Sequence, residues 1–130
     1  MDCIFCKIIN GDIPSYTIYE DDIVKVFLDI EPNTNGHMLI IPKKHYTNIV
    51  DIDIDTMSHI IKIQKEMYEL VKEKLGAEGA TFAQNNDLGQ DVKHYHMHLI
   101  PRYQNDGWKN SYDMNNKNSV EEIFNKLKSE

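Results

Sequence analysis

Three of the chain's six histidines fall in one stretch, Gly89-Gln90-Asp91-Val92-Lys93-His94-Tyr95-His96-Met97-His98-Leu99-Ile100-Pro101, each separated from the next by one residue. Tyr95, Met97, Leu99 and Ile100 favour strands, and strict alternation predicts a half-buried β-strand. His94, His96 and His98 then share one face, while Tyr95, Met97 and Leu99 point into a core. Imidazole serves as acid, base, nucleophile and metal ligand near neutral pH, so three on one face point to chemistry rather than packing. A regular strand sets alternate side chains about 6.6 Å apart and His94 about 13 Å from His98. Zinc–nitrogen bonds are about 2 Å, so one metal cannot take all three. A two-residue His-x-His chelate remains open. So does a division of labour, in which the central histidine does covalent or acid–base work and its neighbours hold or protonate the substrate.

Other residues could join this chemistry. Cys3-x-x-Cys6 contains both cysteines of the chain. That spacing suits a redox pair or half of a zinc site, and no thioredoxin-like βαβ pattern follows it. With six histidines available, zinc is the preferred reading; two small buried residues in a short helix are the plain alternative. Asp29 ends an apparent strand, where it can accept from a ligand hydroxyl or cap the turn, and residue type alone favours the cap. Asn85-Asn86-Asp87-Leu88-Gly89-Gln90 puts amides and a glycine backbone beside the histidines, a means of holding phosphate oxygens or ordinary turn chemistry. His37 opens a strand, His45 is isolated on a loop, and His59 reads as a surface or boundary residue of a helix.

Several elements must position these groups. Ile4, Phe5, Ile8 and Ile9 form a short apolar helical face. Strands are predicted at Tyr16–Tyr19 and Ile23–Asp29, joined as a hairpin across Glu20-Asp21-Asp22. Gly36–Pro42 is nearly all apolar and therefore central. Apolar residues recur at helical spacing from Asp55 to Leu75, with Asp55 as N-cap and Gly76 as terminator. Gly79–Gln84 is a fourth strand and the histidine segment the fifth. Gln104–Asn118 is a polar loop, and Ser119–Lys128 an amphipathic helix. The 130 residues are 41% hydrophobic, as expected of one domain with an ordinary core. A net charge of −7 argues against non-specific nucleic-acid binding. No run of about 18 apolar residues suggests a membrane span. The first residues lack a basic region and an apolar signal core, so a cytoplasmic location is expected.

His94-Tyr95-His96-Met97-His98-Leu99-Ile100, preceded by Gly89-Gln90-x-Val92, resembles the histidine-triad (HIT) motif. The resemblance extends to Cys3-Ile4-Phe5-Cys6-Lys7-Ile8-Ile9, Ile13-Pro14, Phe27-Leu28-Asp29-Ile30-x-Pro32, Gly36-His37-x-Leu39-Ile40-Ile41-Pro42-Lys43-x-His45 and Pro101-Arg102. Residues 1–104 match in order as a HIT domain of the adenosine phosphoramidase-like branch. Residues 105–130 add a loop and a C-terminal helix expected to pack on the same domain.

The resemblance implies an α+β fold: a five-stranded, mostly antiparallel sheet, one long helix and a C-terminal helix, with two sheets joined in a homodimer. It implies hydrolysis or transfer at the α-phosphate of adenine or other purine nucleotides, such as AMP, GMP or their phosphoramidates, through a nucleotidyl-histidine. His96 would be the nucleophile, oriented by the His94 carbonyl. His98 would contact phosphate oxygens or the leaving group, and His37 would buttress the site. Gln90 and Asn85, with Gly89 between them, would meet the phosphate, Asp29 a ribose hydroxyl. Phe5, Ile8, Phe27, Leu28 and Ile30 would form the slot for the base. By the same resemblance Cys3, Cys6, His45 and His94 would hold a structural zinc, and no organic cofactor is implied. Two departures bear on the leaving group. Asp91 stands where the family commonly has Ser or Thr, a carboxylate that repels phosphate, and the Asn85–Gly89 loop is about two residues short. Dinucleoside polyphosphate hydrolysis, a weakly catalytic nucleotide-binding regulatory module, and a metallohydrolase using His94 and His96 are the alternatives.

Overall fold

The structure, a computed structural model, describes residues 3–109 and 111–129; residues 1, 2, 110 and 130, which fall within the two expected segments, lie outside the described residues. The chain runs α1 (Ile4–Ile9), β1 (Thr17–Glu20), β2 (Val24–Leu28), β3 (Met38–Pro42), α2 (Ile54–Leu75), β4 (Gly79–Ala83), β5 (Met97–Arg102) and α3 (Val120–Lys128). The five strands form one antiparallel sheet in the order β1-β2-β3-β5-β4. This is the α+β arrangement expected.

β3 reads as continuously apolar because both of its faces are covered. Met38 and Ile40 join Val24, Val26, Leu99 and the α2 residues Ile60, Ile63, Met67 and Val71 in the main core. Leu39 and Ile41 face the other way, into a smaller cluster with Phe27, the α1 residues Phe5 and Ile8, and Cys3, which caps α1. The register pairs Leu39 with His98. Cross-strand partners share a face, so His98 emerges on the α1 side, over the smaller cluster. That side holds the site, and the α2 side supplies the thicker core beneath it.

α2 begins one residue before the predicted start. Its N-cap is Asp53, whose carboxylate accepts from the Thr56 N–H at 3.3 Å, not Asp55. The Tyr46 hydroxyl donates to Asp53 at 2.7 Å and selects it, leaving Asp55 in the first turn, where the helix dipole favours negative charge. Gly76 ends the helix in the left-handed conformation, as predicted. His59 lies at the boundary, as expected, and it and Tyr19 both meet Asp21 at 2.7 Å, tying the β1–β2 turn to α2.

One further expectation is corrected. The histidine strand starts at Met97, because Gly89–His96 is a bent segment whose Tyr95 N–H donates to the Tyr46 carbonyl at 2.7 Å. α3 forms, capped by Ser119; none of its described residues is buried, and Val120, Phe124 and Leu127 stay largely exposed. No described helix is long and apolar enough to cross a membrane.

Candidate active site and metal-ligand cluster

A cavity of about 590 Å³ opens on the α1 face of the sheet. Phe5 and Ile8 of α1 form one wall, Phe27, Leu28 and Asp29 at the end of β2 another, with Ile30 beyond them. His37, His96 and His98 reach it from below, and Asn85, Gly89 and Asp91 come from the β4–β5 loop. Twelve of the residues named from the sequence thus converge from five segments of the chain. Gln90 and His94 do not line the cavity.

The hydrogen bonds assign the protons of its imidazoles. His96 Nδ1 lies 2.7 Å from the His94 carbonyl, which can only accept, so Nδ1 carries the proton. Nε2 of His96 has no hydrogen-bond partner among the described residues and keeps its lone pair. At His37 the order is reversed. The Asn33 N–H donates to His37 Nδ1 at 3.0 Å, so the proton of His37 sits on Nε2. That Nε2–H donates to His98 Nδ1 at 2.9 Å, which leaves the proton of His98 on its own Nε2. Two adjacent imidazoles, with ring centroids 5.1 Å apart, therefore present opposite atoms: a lone pair from His96, an N–H from His98. Burial, reinforced by the nearby His96 and His37, holds His98 down to about 4, so it is neutral at pH 7.

Phe5 stands edge-on to His96, with centroids 5.1 Å apart, and edge-on to Phe27 at 5.6 Å, closing the apolar end of the cavity. Asp29 caps its turn and also faces the cavity. One carboxylate oxygen accepts from the Glu31 N–H at 2.9 Å, a turn cap. The other lies 3.6 Å from His37 Nε2 on the cavity side.

Gln90, expected at the phosphate by the family resemblance, turns its side-chain amide away from the cavity. Its amide is buried and committed to the loop itself. It donates to the Thr47 and Val92 carbonyls at 2.7 and 3.0 Å and accepts from the Asp87 N–H at 3.1 Å. An amide so engaged has no donor left for phosphate; it shapes the loop that presents Asp91 and His96. Asn48, which sequence reasoning missed, does the same work from the other side. It is buried and donates to Asp87 and Gln90 at 3.1 and 3.4 Å. Nothing in its type or spacing separates it from an ordinary loop asparagine.

Cys3, Cys6, His45 and His94 form a second cluster, with one donor atom from each within 4.8 Å of all the others. Tetrahedral zinc, with bonds of about 2.3 Å to sulfur and 2.0–2.1 Å to nitrogen, sets S···N near 3.6 Å and N···N near 3.3 Å. The separations are 3.4 Å for Cys3–His94 and Cys6–His45, 3.6 Å for Cys6–His94 and 3.1 Å for His45–His94. His94 Nε2 donates to the Pro42 carbonyl at 2.8 Å, which turns the Nδ1 lone pair toward the sulfurs. The donor set therefore fits zinc. Burial, with the adjacent Cys3 thiol, pushes Cys6 up to about 11, so its thiolate needs a cation beside it.

Asp29, His37 and His98 also converge. They suit a metal poorly, because the nitrogen His37 would offer already carries the proton fixed by Asn33.

Residues 10–105 match the HIT domain model. The chain is 49% identical over 107 residues to a HIT-like protein of Methanocaldococcus jannaschii, covering 81% of this chain and 82% of that protein. It is 41% identical over 106 residues to an adenosine 5'-monophosphoramidase of Candida albicans, covering 77% and 70%. A Zn-bound histidine triad family protein from Mycobacterium smegmatis superposes with a TM-score of 0.80 at 35% identity, covering 88% of this chain and 84% of that one. With this cavity, these histidines and this match over most of its length, the chain belongs to the HIT family.

Proposed function

We propose that this protein is a nucleotide hydrolase acting at the α-phosphate of purine nucleotides, with nucleoside phosphoramidates as the substrate class. The observation that carries the reading is the pair of opposed imidazoles. His96 presents a lone pair held in place by the His94 carbonyl, and His98 beside it presents an N–H. Neutral imidazole is nucleophilic without a strong base to activate it. In the first step the His96 Nε2 lone pair attacks phosphorus and the bond to the leaving amine breaks, its electron pair departing with nitrogen. In the second, water attacks the nucleotidyl-histidine, nucleoside monophosphate leaves and His96 is restored. The His98 N–H, within the same cavity, hydrogen-bonds the oxygens that gather negative charge. Phe5, Ile8, Phe27 and Leu28 offer flat apolar surface to the base, and Asp29 a carboxylate to a ribose hydroxyl.

The lining favours phosphoramidates over dinucleoside polyphosphates. Asp29, Glu31 and Asp91 contribute carboxylates, and among the described residues no lysine or arginine lines the cavity. A singly charged phosphoramidate meets less repulsion there than a polyphosphate chain. The 41% identity to an adenosine 5'-monophosphoramidase agrees with this choice.

Zinc would be held by Cys3, Cys6, His45 and His94, a closed set without an open position, and so would be structural. It would fasten α1, which carries Phe5 and Ile8, to the segment leading to His96. The reading includes a homodimer joined through the sheets, for which β4 offers an edge strand. The experiment is a rapid mix of the protein with an adenosine phosphoramidate, quenched in alkali and weighed by mass spectrometry. Wild type should show a transient adenylyl adduct that maps to His96. Turnover with no adduct, and with His96→Ala within tenfold of wild type, would reject the mechanism.

A further inference from the structure

The proton assignments above carry a consequence for His98. To give its Nε2 proton to a leaving group, neutral His98 must receive another at Nδ1, or become an imidazolate. Among the described residues the only group at Nδ1 is the His37 Nε2–H, 2.9 Å away. His37 could pass that proton on only by taking one at its own Nδ1. That atom faces the Asn33 main-chain N–H at 3.0 Å, a donor that cannot be surrendered. The relay is closed at its far end by a peptide bond.

The loop that delivers this N–H is itself pinned. The Thr34 hydroxyl donates to the Pro101 carbonyl on β5 at 2.7 Å, and the His37 N–H returns to the Thr34 carbonyl at 3.2 Å. Asn33, His37 and His98 are thus held by one short span that grips the strand carrying His98.

We propose that the Pro32–Gly36 loop locks His98 as a fixed hydrogen-bond donor, which stabilises charge on the reacting phosphoryl group but does not act as the acid that protonates the leaving group. The departing nitrogen takes its proton from solvent, and His98 is unchanged at the end of each cycle. Thr34 and the Asn33 amide are positioning groups, acting through His37. The charged and titratable groups around the lock do not open it. His37 faces Asp29, with Oδ2 at 3.6 Å, and His98; His98 faces His96, His37, Asp29 and Asp91. Asp29 favours a cationic His37, but a second proton on its Nδ1 would point directly at the Asn33 N–H.

The inference rests on the phosphoramidase reading for its kinetic arm only. In that arm His98→Asn and His98→Ala are compared on one adenosine phosphoramidate. An amide can donate a hydrogen bond but cannot deliver a proton. A fixed donor predicts that His98→Asn keeps turnover within about tenfold of wild type, while His98→Ala loses about 100-fold or more. An acid predicts equal losses, and equal losses would overturn the proposal. The second arm needs no substrate. Nitrogen-15 NMR of labelled protein should show His37 and His98 protonated at Nε2 and His96 at Nδ1 at pH 7, and Thr34→Val should raise the titration midpoint of His37. A His98 proton on Nδ1, or a His37 midpoint unmoved by Thr34→Val, would overturn it as well. If wild type turns over no phosphoramidate, the functional reading fails and the NMR arm alone decides the lock.

Discussion

Gly36, immediately before His37, gives the sharpest test of how the fold fixes the site. Its φ is +90°, a conformation that costs a residue with a side chain about 1–2 kcal/mol. A Cβ there would lie 2.7 Å from Leu75 Cδ1 and 3.2 Å from Pro101 Cγ. The two contacts differ in kind. Leu75 is 48% exposed and can swing its methyl into solvent. Pro101 is fully buried in β5, and its ring has nowhere to go. The steric part therefore falls at the low end of overpacking costs, about 1 kcal/mol. Gly36→Ala should lose about 2–3 kcal/mol in all, roughly 8–12 °C in Tm for a chain of this size. Gly76→Ala is the control: it shares a positive φ, +69°, but has nothing within 4 Å, so about 1 kcal/mol is expected. Urea unfolding followed by far-ultraviolet circular dichroism measures both. Because residue 36 borders the lock on His98, Gly36→Ala should also slow the proposed turnover in the protein that remains folded, whereas Gly76→Ala should not. Equal stability losses would refute the steric reasoning, and unchanged turnover in Gly36→Ala would separate this loop from the site.

Three further outcomes are expected. His96→Ala should abolish phosphoramidate turnover while AMP affinity, measured by calorimetry, falls by less than about tenfold, because base, ribose and phosphate contacts remain; loss of binding in step with turnover would assign His96 to binding instead. Purified protein should contain about one zinc per chain by elemental analysis, and Cys3→Ser should lower both zinc content and Tm, since a structural metal contributes its binding free energy to folding; full zinc occupancy in Cys3→Ser would remove Cys3 from the ligand set. Burial opposes ionisation of Asp21, but hydrogen bonds from the Val24 N–H, Tyr19, His59 and the Ile23 N–H outweigh it and hold the carboxyl well below the usual range. A folded-state pKa depressed below the unfolded value of about 3.9 adds stability that is present above that pH and lost as pH falls below it. Asp21→Asn should therefore flatten the drop in urea midpoint between about pH 4 and pH 2, and an acid limb as steep as wild type would contradict the assignment.

The chain shows plainly how far residue patterns reach. Continuous apolar character marked β3 as central, and the core confirms it on both faces. Three- and four-residue spacing marked α2 to within one residue, although Asp53 and Asp55 are both good caps and only the Tyr46 hydroxyl chooses between them. The apolar stripe of Val120, Ile123, Phe124 and Leu127 correctly gave a helix, but a stripe does not name what covers it, and here no described residue of α3 is buried.

The same division runs through the site. Residue types and spacing pointed to histidine chemistry and to half of a zinc site at Cys3-x-x-Cys6, and the family resemblance added the apolar slot. Tertiary structure decided which imidazole does what. Alternation placed His94, His96 and His98 in one equal row, yet the chain bends before Met97 and sends His94 to the sulfurs while His96 and His98 stay in the cavity. Their protons are set by the Pro42 and His94 carbonyls and, through His37, by the Asn33 N–H. Gln90 was legible as an amide beside the histidines, but its partners Thr47 and Asn48 turned it into the loop. Periodicity records which faces are buried, since burial follows the local geometry of helix and strand. The role of a polar side chain depends on the donor or acceptor opposite it, and here that atom lies up to 91 residues away in the chain.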